Sequence, residues 1–352
     1  MENKNNVINK NSMFLINNNF NPYLNNNYKQ QKRKQKVSTR IFVSCALCFL
    51  SLLFFFGGLY ARMPLTWKNP FSQSLTIKSQ NSKSIETNDD FNILQINDLH
   101  FSFLLSAPLC FTLAQLDTII KQSKPNFIVL NGDIVWNLFN KAMLNFVAMY
   151  FESKQIPWTF VFGNHDEEFG VEKTKLVLVL NGLKYCKFDI GFSNLGGAGN
   201  HAVYVNDGLQ DLKYVMYFFD SQQGTILPKQ VEWFNWSQNK LNNPKNLVFM
   251  HHPLKQVKTA VRKNNFVGIV KEPVSNLLTD SQLFNSLKTL NTKGVFNGHD
   301  HANDVMFDLD NIHFHSCRGS SYSGYTRDGA DRGATLISVT NTSVSSSTIL
   351  FN

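Results

Sequence analysis

The chain has 352 residues, more than one typical domain, and 43% of them are hydrophobic, which excludes a wholly disordered protein. The net charge of +9 is concentrated in residues 1–68, which hold ten of the 34 basic residues and one of the 25 acidic residues. The remaining 24 basic and 24 acidic residues balance in 69–352, so the folded part is not expected to bind nucleic acid.

The first forty residues predict a disordered tail, because 1–28 are rich in asparagine and 29–40 hold six basic residues. Residues 41–60 then contain no charged residue. At about 1.5 Å per residue this length matches a hydrocarbon core of about 30 Å, so we predict a transmembrane helix that remains as a signal-anchor. A cleaved signal peptide is disfavoured by the long lead-in and by the lack of a small-residue cleavage site.

The positions of the basic residues predict the orientation of this anchor. Six positive charges within 29–40 directly precede it, and only Arg62 and Lys68 follow it closely. The positive-inside rule then places residues 1–40 in the cytosol and the rest of this single-pass membrane protein in a lumen or outside the cell. Two glycosylation sequons, at Asn235 and Asn341, are compatible with that location. The polar residues 61–90 predict a stalk.

From Phe91 onward, short apolar strands alternate with helical patterns, which is typical of an α/β domain with a buried sheet. Strands are predicted at 91–96, 126–130, 158–162, 214–219, 246–250 and 294–296, with more strands within 312–351. Helices are predicted near 112–122, 137–151, 172–183, 228–241 and 281–290. We therefore assign residues 91–352 to one catalytic domain.

The cysteines of this domain do not form a metal-binding pattern. Cys110, Cys186 and Cys317 are far apart in the sequence, and no CxxC pair lies outside the apolar segment. Two interpretations remain open: three free thiols, or one disulfide among them if the compartment is oxidising.

Ligand-type residues follow five of the predicted strands, at the point where each strand ends. In chain order they are Asp98 and His100, Asp133, Asn164 with His165 and Asp166, His251, and His299 with His301. Each short motif alone has an ordinary structural explanation, such as a turn. The loops beyond the carboxyl ends of strands in an open α/β sheet converge on one crevice, so five such motifs in order predict a single site.

The residue types indicate the chemistry of that site. Imidazole and carboxylate ligands suit Fe, Mn or Zn, and the absence of thiolates argues against a structural zinc site. Two cations about 3.5–4 Å apart would neutralise a phosphate ester and lower the pKa of a bridging water. Asp133 is the natural bridging residue. We predict that His165 assists departure of the leaving oxygen, with Asp166 orienting it.

The five motifs together resemble those of the calcineurin-like metallophosphoesterases, over about residues 91–340. The resemblance implies an α/β/β/α fold, a double β-sheet sandwich flanked by helices. It implies one metal bound by Asp98, His100, Asp133 and His301, and a second bound by Asp133, Asn164, His251 and His299. His251 is chosen over His252 because the family's motif has the form His-x-Pro.

A closer resemblance is to the single-domain phosphatases of plants and fungi related to purple acid phosphatases. It is carried by three stretches, Gln230–Phe234, Gly298–Asp304, and Ser323–Tyr325 followed by Arg332. True purple acid phosphatases have a tyrosine three residues after the Asp of Gly-Asp, where this chain has Trp136. We therefore expect no tyrosinate–iron absorption band. Asp304 and Arg332 would either contact substrate or hold rim loops.

The expected function is hydrolysis of phosphate monoesters by attack of a metal-bound hydroxide. The alternative is a phosphodiesterase that acts on lipid or nucleotide diesters, since related lumenal enzymes use the same ligands. A catalytically inactive scaffold is disfavoured, because it would be expected to have lost ligands. The sequence does not predict the substrate or the oligomeric state.

Overall fold

A computed structural model of the chain describes residues 83–87, 90–168, 171–180, 182–207, 209 and 211–352. The predicted cytosolic tail and the predicted anchor at 41–60 lie outside these residues. Among the helices that the structure describes, none combines the length and the apolar character needed to cross a membrane.

The described chain alternates strands and helices, as predicted from residue 91 onward. The strands are β1 (Ser84–Glu86), β2 (Phe91–Ile96), β3 (Phe127–Asn131), β4 (Trp158–Val161), β5 (His201–Asn206), β6 (Leu212–Phe219), β7 (Lys245–Met250), β8 (Val267–Val270), β9 (Thr292–Asn297), β10 (Asn303–Leu309), β11 (Ile312–Ser316), β12 (Gly333–Val339) and β13 (Val344–Leu350). The α-helices are α1 (Ser106–Ser123), α2 (Asn140–Ser153), α3 (Lys173–Leu176), α4 (Pro228–Lys240), α5 (Lys255–Arg262) and α6 (Leu283–Thr289).

The strands form two sheets. Eight of them follow the order β1-β5-β6-β7-β9-β11-β10-β8, and five follow the order β13-β12-β2-β3-β4. β2, β3 and β4 are parallel, as are β6, β7, β9 and β11. Helices lie in the connections between these parallel strands, except that β9 and β11 are joined through β10. Within each set of parallel strands, the carboxyl-terminal loops therefore lie at the same end of the sheet.

Three apolar clusters define the layers. One cluster contains Ile93, Val129 and Phe127 from the five-stranded sheet together with Phe218 and Phe249 from the eight-stranded sheet, so the two sheets pack face to face. A second cluster joins the outer face of the five-stranded sheet to α1 and α2. A third joins the outer face of the eight-stranded sheet to α4, α5 and α6. The chain thus has a mixed α/β fold with two sheets, as the family resemblance implies.

Several boundaries differ from the sequence prediction. β1 lies inside the segment assigned to the stalk and pairs with β5, so the folded unit begins at or before Ser84 rather than at Phe91. The helix predicted at 172–183 is shortened to α3 and a 3-10 turn, Val177–Leu180. β-branched valines at 177 and 179 lose side-chain freedom in a helix, which disfavours its continuation.

The cysteines of the described part, Cys110, Cys186 and Cys317, are all free. Cys110 is exposed, whereas Cys317 is buried. The sequence left open either three free thiols or one disulfide, and the structure shows three free thiols.

Candidate metal centre

The five motifs lie at the carboxyl ends of strands from both sheets. Asp98, Asp133 and Asn164 follow β2, β3 and β4 of the five-stranded sheet, while His251 and His299 follow β7 and β9 of the eight-stranded sheet. Because the sheets pack face to face, these loops meet at one end of the sandwich. Residues separated by more than 200 positions in the chain thus become neighbours.

Six of the predicted ligands form two clusters. Asp98, His100 and His301 make up the first cluster, and Asp133, His251 and His299 make up the second. Within each cluster the potential ligand atoms all lie within 4.8 Å of one another. These two clusters divide the six residues in the way that the family resemblance implies for two metals.

The carboxylate of Asp133 lies between the clusters. Its Oδ2 is 3.2 Å from His251 Nε2 in the second cluster and 3.6 Å from His100 Nε2 in the first. Asp98 Oδ1 is similarly 3.5 Å from His301 Nε2 and 3.9 Å from His251 Nε2. One carboxylate oxygen of Asp133 therefore faces imidazoles of both clusters, which is the position that a bridging ligand needs.

Unpartnered atoms in the site fit bound cations. Asp98 Oδ1 and Asn164 Oδ1 are both buried and accept no hydrogen bond from the described residues. Burying an unpaired oxygen is costly, and a cation would satisfy both atoms. His100 Nε2 also lies 3.0 Å from His301 Nε2, so two imidazole lone pairs converge. These donors, nitrogen and oxygen without sulfur, are suited to Fe, Mn or Zn.

Backbone carbonyls orient two of the imidazoles. The Nδ1 of His251 lies 3.0 Å from the carbonyl oxygen of Asn131, and the Nδ1 of His301 lies 3.2 Å from that of Tyr325. A carbonyl oxygen accepts a hydrogen bond from Nδ1–H, so the unprotonated Nε2 is left to face the clusters. His252 instead contacts the hydroxyl of Ser221 at 2.9 Å and packs beside the His299 ring. The geometry thus favours His251 over His252 as a ligand.

The backbone that carries the ligands is strained. Asp98, His100, Asp133 and His299 all have positive φ angles, of 53°, 44°, 50° and 77°. Such angles are uncommon for residues other than glycine, and they persist at functional sites because the surrounding structure enforces them. The turn that presents each ligand is therefore held by its neighbours rather than by local preference.

Glycine 163 leaves room for the central carboxylate. A Cβ at this position would lie 2.1 Å from Asp133 Oδ1 and 2.4 Å from its backbone nitrogen. We expect Gly163→Ala to displace Asp133 and to reduce kcat/KM for a phosphate ester about 10²-fold, since misplacements near 1 Å cost about that much. Gly182→Ala is the control: its φ of 79° strains the backbone of an alanine, but nothing lies within 4 Å of a Cβ there, so this variant has no steric clash. Equal activities of the two variants would contradict this role of Gly163.

Burial makes three imidazoles available as neutral ligands. It lowers the pKa of His100 to about 4 and the pKa of His299 and of His301 to about 3. Burial also lowers the pKa of His251, but the charges of Asp133 and Asp98 outweigh it and raise that pKa to about 10. Ligands bind cations in their deprotonated form, so metal binding at His251 would release a proton.

The two carboxylates respond oppositely to the same environment. Burial raises the pKa of Asp98 well above its ordinary value. Burial also raises the pKa of Asp133, but His251, 3.2 Å away, outweighs it and holds that pKa well below the ordinary value. Asp133 is therefore the carboxylate that stays ionised, as a ligand shared by two cations must.

His165 lies beside the clusters rather than within them. Its Nε2 is 4.0 Å from Asp133 Oδ2, and its backbone N–H donates to Asp133 Oδ1 at 2.8 Å. The imidazole is partly exposed. This position at the opening of the site fits a group that acts on the substrate.

The prediction that Asp166 orients His165 is wrong. Asp166 Oδ1 accepts the backbone N–H groups of Ile134 and Val135, and Oδ2 accepts that of Gly163. Burial, together with the charge of Asp133, raises the pKa of Asp166 to about 7. Asp166 thus holds two ligand loops together, because its short side chain points back to the backbone. The partner of the His165 ring is Glu168, 2.6 Å from Nδ1.

Asp304 and Arg332 both hold loops. Asp304 binds Arg318, His315 and Thr348 through its two oxygens, which ties β10 to β11 and β13. Arg332 donates to the carbonyl oxygens of Ser321 and Gly324. Gly324 precedes Tyr325, whose ring stacks on His301. The sequence left two roles open for Asp304 and Arg332, contact with substrate or support of rim loops. The contacts of both residues are those of loop support.

The calcineurin-like phosphoesterase family matches residues 91–303 of the chain. The chain is 26% identical over 301 residues to probable inactive purple acid phosphatase 29 of Arabidopsis thaliana, covering 72% of this chain and 77% of that protein. It is 25% identical over 261 residues to phosphatase DCR2 of Saccharomyces cerevisiae, covering 61% of this chain and 44% of that protein. These matches confirm the resemblance that the motifs predict.

Among solved structures, a dimetal phosphatase from Danio rerio has a similar fold. The likeness has a TM-score of 0.51 at 11% identity, and it covers 74% of this chain and 99% of that one. At this identity the likeness concerns the fold alone.

Proposed function

This chain belongs to the calcineurin-like phosphoesterase family, and from that premise we propose that it is a metal-dependent hydrolase of phosphate monoesters. The observation that carries the proposal is the position of Asp133 Oδ2, 3.2 Å from an imidazole of one ligand cluster and 3.6 Å from an imidazole of the other. A shared carboxylate of this kind serves a two-metal site.

The proposed ligands divide between two cations. Asp98, His100 and His301 would hold one ion, and Asn164, His251 and His299 would hold the other, with Asp133 shared. When bound, the two cations supply positive charge for the phosphate and lower the pKa of a water molecule. The purple-acid-phosphatase colour is not expected, because Trp136 offers no phenolate.

The protein's own contribution at the leaving group comes from His165. As the bond from phosphorus to the leaving oxygen breaks, a proton on His165 Nε2 passes to that oxygen. The new bond forms between phosphorus and the oxygen of water, and the proton that this water loses is released to solvent. His165 is suited to this role because its Nε2 faces the clusters from the opening, 4.0 Å from Asp133 Oδ2.

A comparison of two synthetic substrates tests the proposal. The full chain, purified in detergent and supplied with Mn²⁺, Fe²⁺ or Zn²⁺, is assayed with an aryl phosphate monoester and the matching bis-aryl diester, with and without chelator. Preference for the monoester that is lost on chelation supports the proposal. Preference for the diester would replace it with the phosphodiesterase, and no chelator-sensitive hydrolysis of either ester would refute both.

The proposal includes a location, with residues 41–60 as a membrane anchor and the catalytic domain in a lumen or outside the cell. It is supported by the six basic residues at 29–40 and by the uncharged stretch that follows them. The two sequons differ in accessibility. Asn341 lies in the exposed turn between β12 and β13, whereas Asn235 is on α4 with its Oδ1 buried.

We expect an N-glycan on Asn341 when the chain is expressed in a eukaryotic cell, because this sequon is exposed in the folded domain. Treatment with an N-glycosidase should increase electrophoretic mobility, and Asn341→Gln should abolish this change. Asn235→Gln is the matched control and should leave it intact, because Ser237 of that sequon is buried and bonded to Tyr217. An unglycosylated wild-type chain would contradict the proposed orientation.

A further inference from the structure

Glu168 joins His165 to Trp136 through two short hydrogen bonds. Its Oε1 lies 2.6 Å from His165 Nδ1, and its Oε2 accepts the indole N–H of Trp136 at 2.7 Å. Each oxygen takes one partner, so the carboxylate cannot rotate freely without losing a bond. Trp136, three residues after Asp133 of the Gly-Asp motif, thus has a specific contact with Glu168.

The contact with Glu168 also determines which way the imidazole faces. A carboxylate only accepts hydrogen bonds, so the proton in this contact belongs to His165 Nδ1. The other ring nitrogen, Nε2, is then directed toward Asp133 Oδ2, 4.0 Å away. Glu168, bound to one side of the ring, therefore orients Nε2 on the other side, the atom proposed to protonate the leaving oxygen.

The backbone of the segment does not depend on the Glu168 carboxylate. Asn140 donates its amide N–H to the carbonyl oxygens of Asp166 and Glu168, at 3.0 and 3.2 Å. The N–H of Glu168 bonds to the carbonyl oxygen of His165 at 3.1 Å. The side chains of Glu168 and His165 are 42% and 37% exposed. Removal of the carboxylate thus affects the ring more than the fold.

We propose that Glu168, held by the indole of Trp136, is a positioning residue that orients the imidazole of His165 toward the leaving group. This inference rests on the proposed function, in which His165 assists departure. It assigns to Glu168 the role that the sequence pattern suggests for Asp166.

The test compares Glu168→Ala with Glu167→Ala in the full, metal-loaded chain. Glu167 is a matched control, because its side chain is 40% exposed and it pairs with Lys173, which also binds Asp220. We expect Glu168→Ala to lower kcat for an alkyl phosphate about 10- to 100-fold, as loss of an orienting partner typically does. KM and metal content should stay unchanged, and Glu167→Ala should match wild type.

Three further measurements separate positioning from a structural effect. When a dinitrophenyl phosphate is hydrolysed, dinitrophenolate departs as a stable anion that needs no protonation. Glu168→Ala should therefore reduce the hydrolysis of this ester far less than that of an alkyl phosphate. In a His165→Ala background, Glu168→Ala should cause no additional loss, because both changes remove one function. Trp136→Phe, which removes only the indole donor, should give a smaller loss with the same dependence on the leaving group.

Equal losses with both leaving groups, additive losses in the double variant, or unaltered kcat in Glu168→Ala would each overturn the inference. These outcomes leave the proposed function intact, provided that the wild-type chain hydrolyses monoesters and chelator stops it. A wild-type chain without that activity would overturn both. The two failures are therefore distinguished by the wild-type assay alone.

Discussion

Asp133→Asn is expected to abolish phosphatase activity and to lower the metal content of the purified protein. The carboxylate oxygen that faces His251 at 3.2 Å and His100 at 3.6 Å loses its negative charge in this variant. Two cations held close together repel each other, and a shared anionic ligand offsets that repulsion. An amide oxygen cannot do so to the same extent, so both metal retention and catalysis should fail together.

The measurement for Asp133→Asn is metal content by elemental analysis beside kcat for an aryl phosphate. Asp310→Asn is the matched control, because Asp310 is exposed in the turn between β10 and β11 and has a positive φ angle that asparagine tolerates. The control should retain metal and activity. An Asp133→Asn protein with two metals per chain and wild-type kcat would show that Asp133 is not the bridging ligand.

His165→Ala is expected to leave both metals in place and to lower kcat about 10²–10⁴-fold, the usual effect of losing a general acid. The imidazole lies outside both ligand clusters, so its removal does not change the ligand count. The backbone N–H that binds Asp133 Oδ1 remains in the alanine variant. The ligand loop should therefore keep its position while the leaving group loses its proton donor.

Metal content and kcat together again decide the outcome for His165→Ala. Reduced kcat with wild-type metal content supports the assignment. Loss of metal together with activity would identify His165 as a ligand, and an unchanged kcat would remove it from the mechanism. Both variants should lose activity, but Asp133→Asn should also lose metal, whereas His165→Ala should retain it.

Most strands near the site could be predicted from sequence because they are short, apolar and followed by polar turns. β2 was predicted without error, and β3, β4, β7 and β9 within a few residues. β5, β8, β10 and the helix α5 were missed. β10 contains two aspartates and so lacks a continuous apolar run. β8 is apolar, but it is only four residues long, contains Gly268 and lies at the edge of its sheet, so its sequence does not mark it as a strand. Both strands can be recognised only from their pairing partners.

The division of the ligands between two sheets could not be predicted from the strand pattern. The alternation of strands and helices is the same for one open sheet and for two packed sheets. The pattern places ligand-type residues after strands, while strand order depends on how β12 and β13 return beside β2. The double sheet was available only from the resemblance to a family.

The sequence by itself determined which residue types stand at the ends of the strands, and hence that Asp, Asn and His side chains are available for two cations. It did so because strand ends and polar turns are local features. Only the tertiary structure decided the contacts of neighbouring residues: Asp166 turns back to backbone amides, while Glu168 reaches His165 and Trp136. Such contacts depend on side-chain direction and on the distance between separate loops, which the order of residues along the chain does not contain.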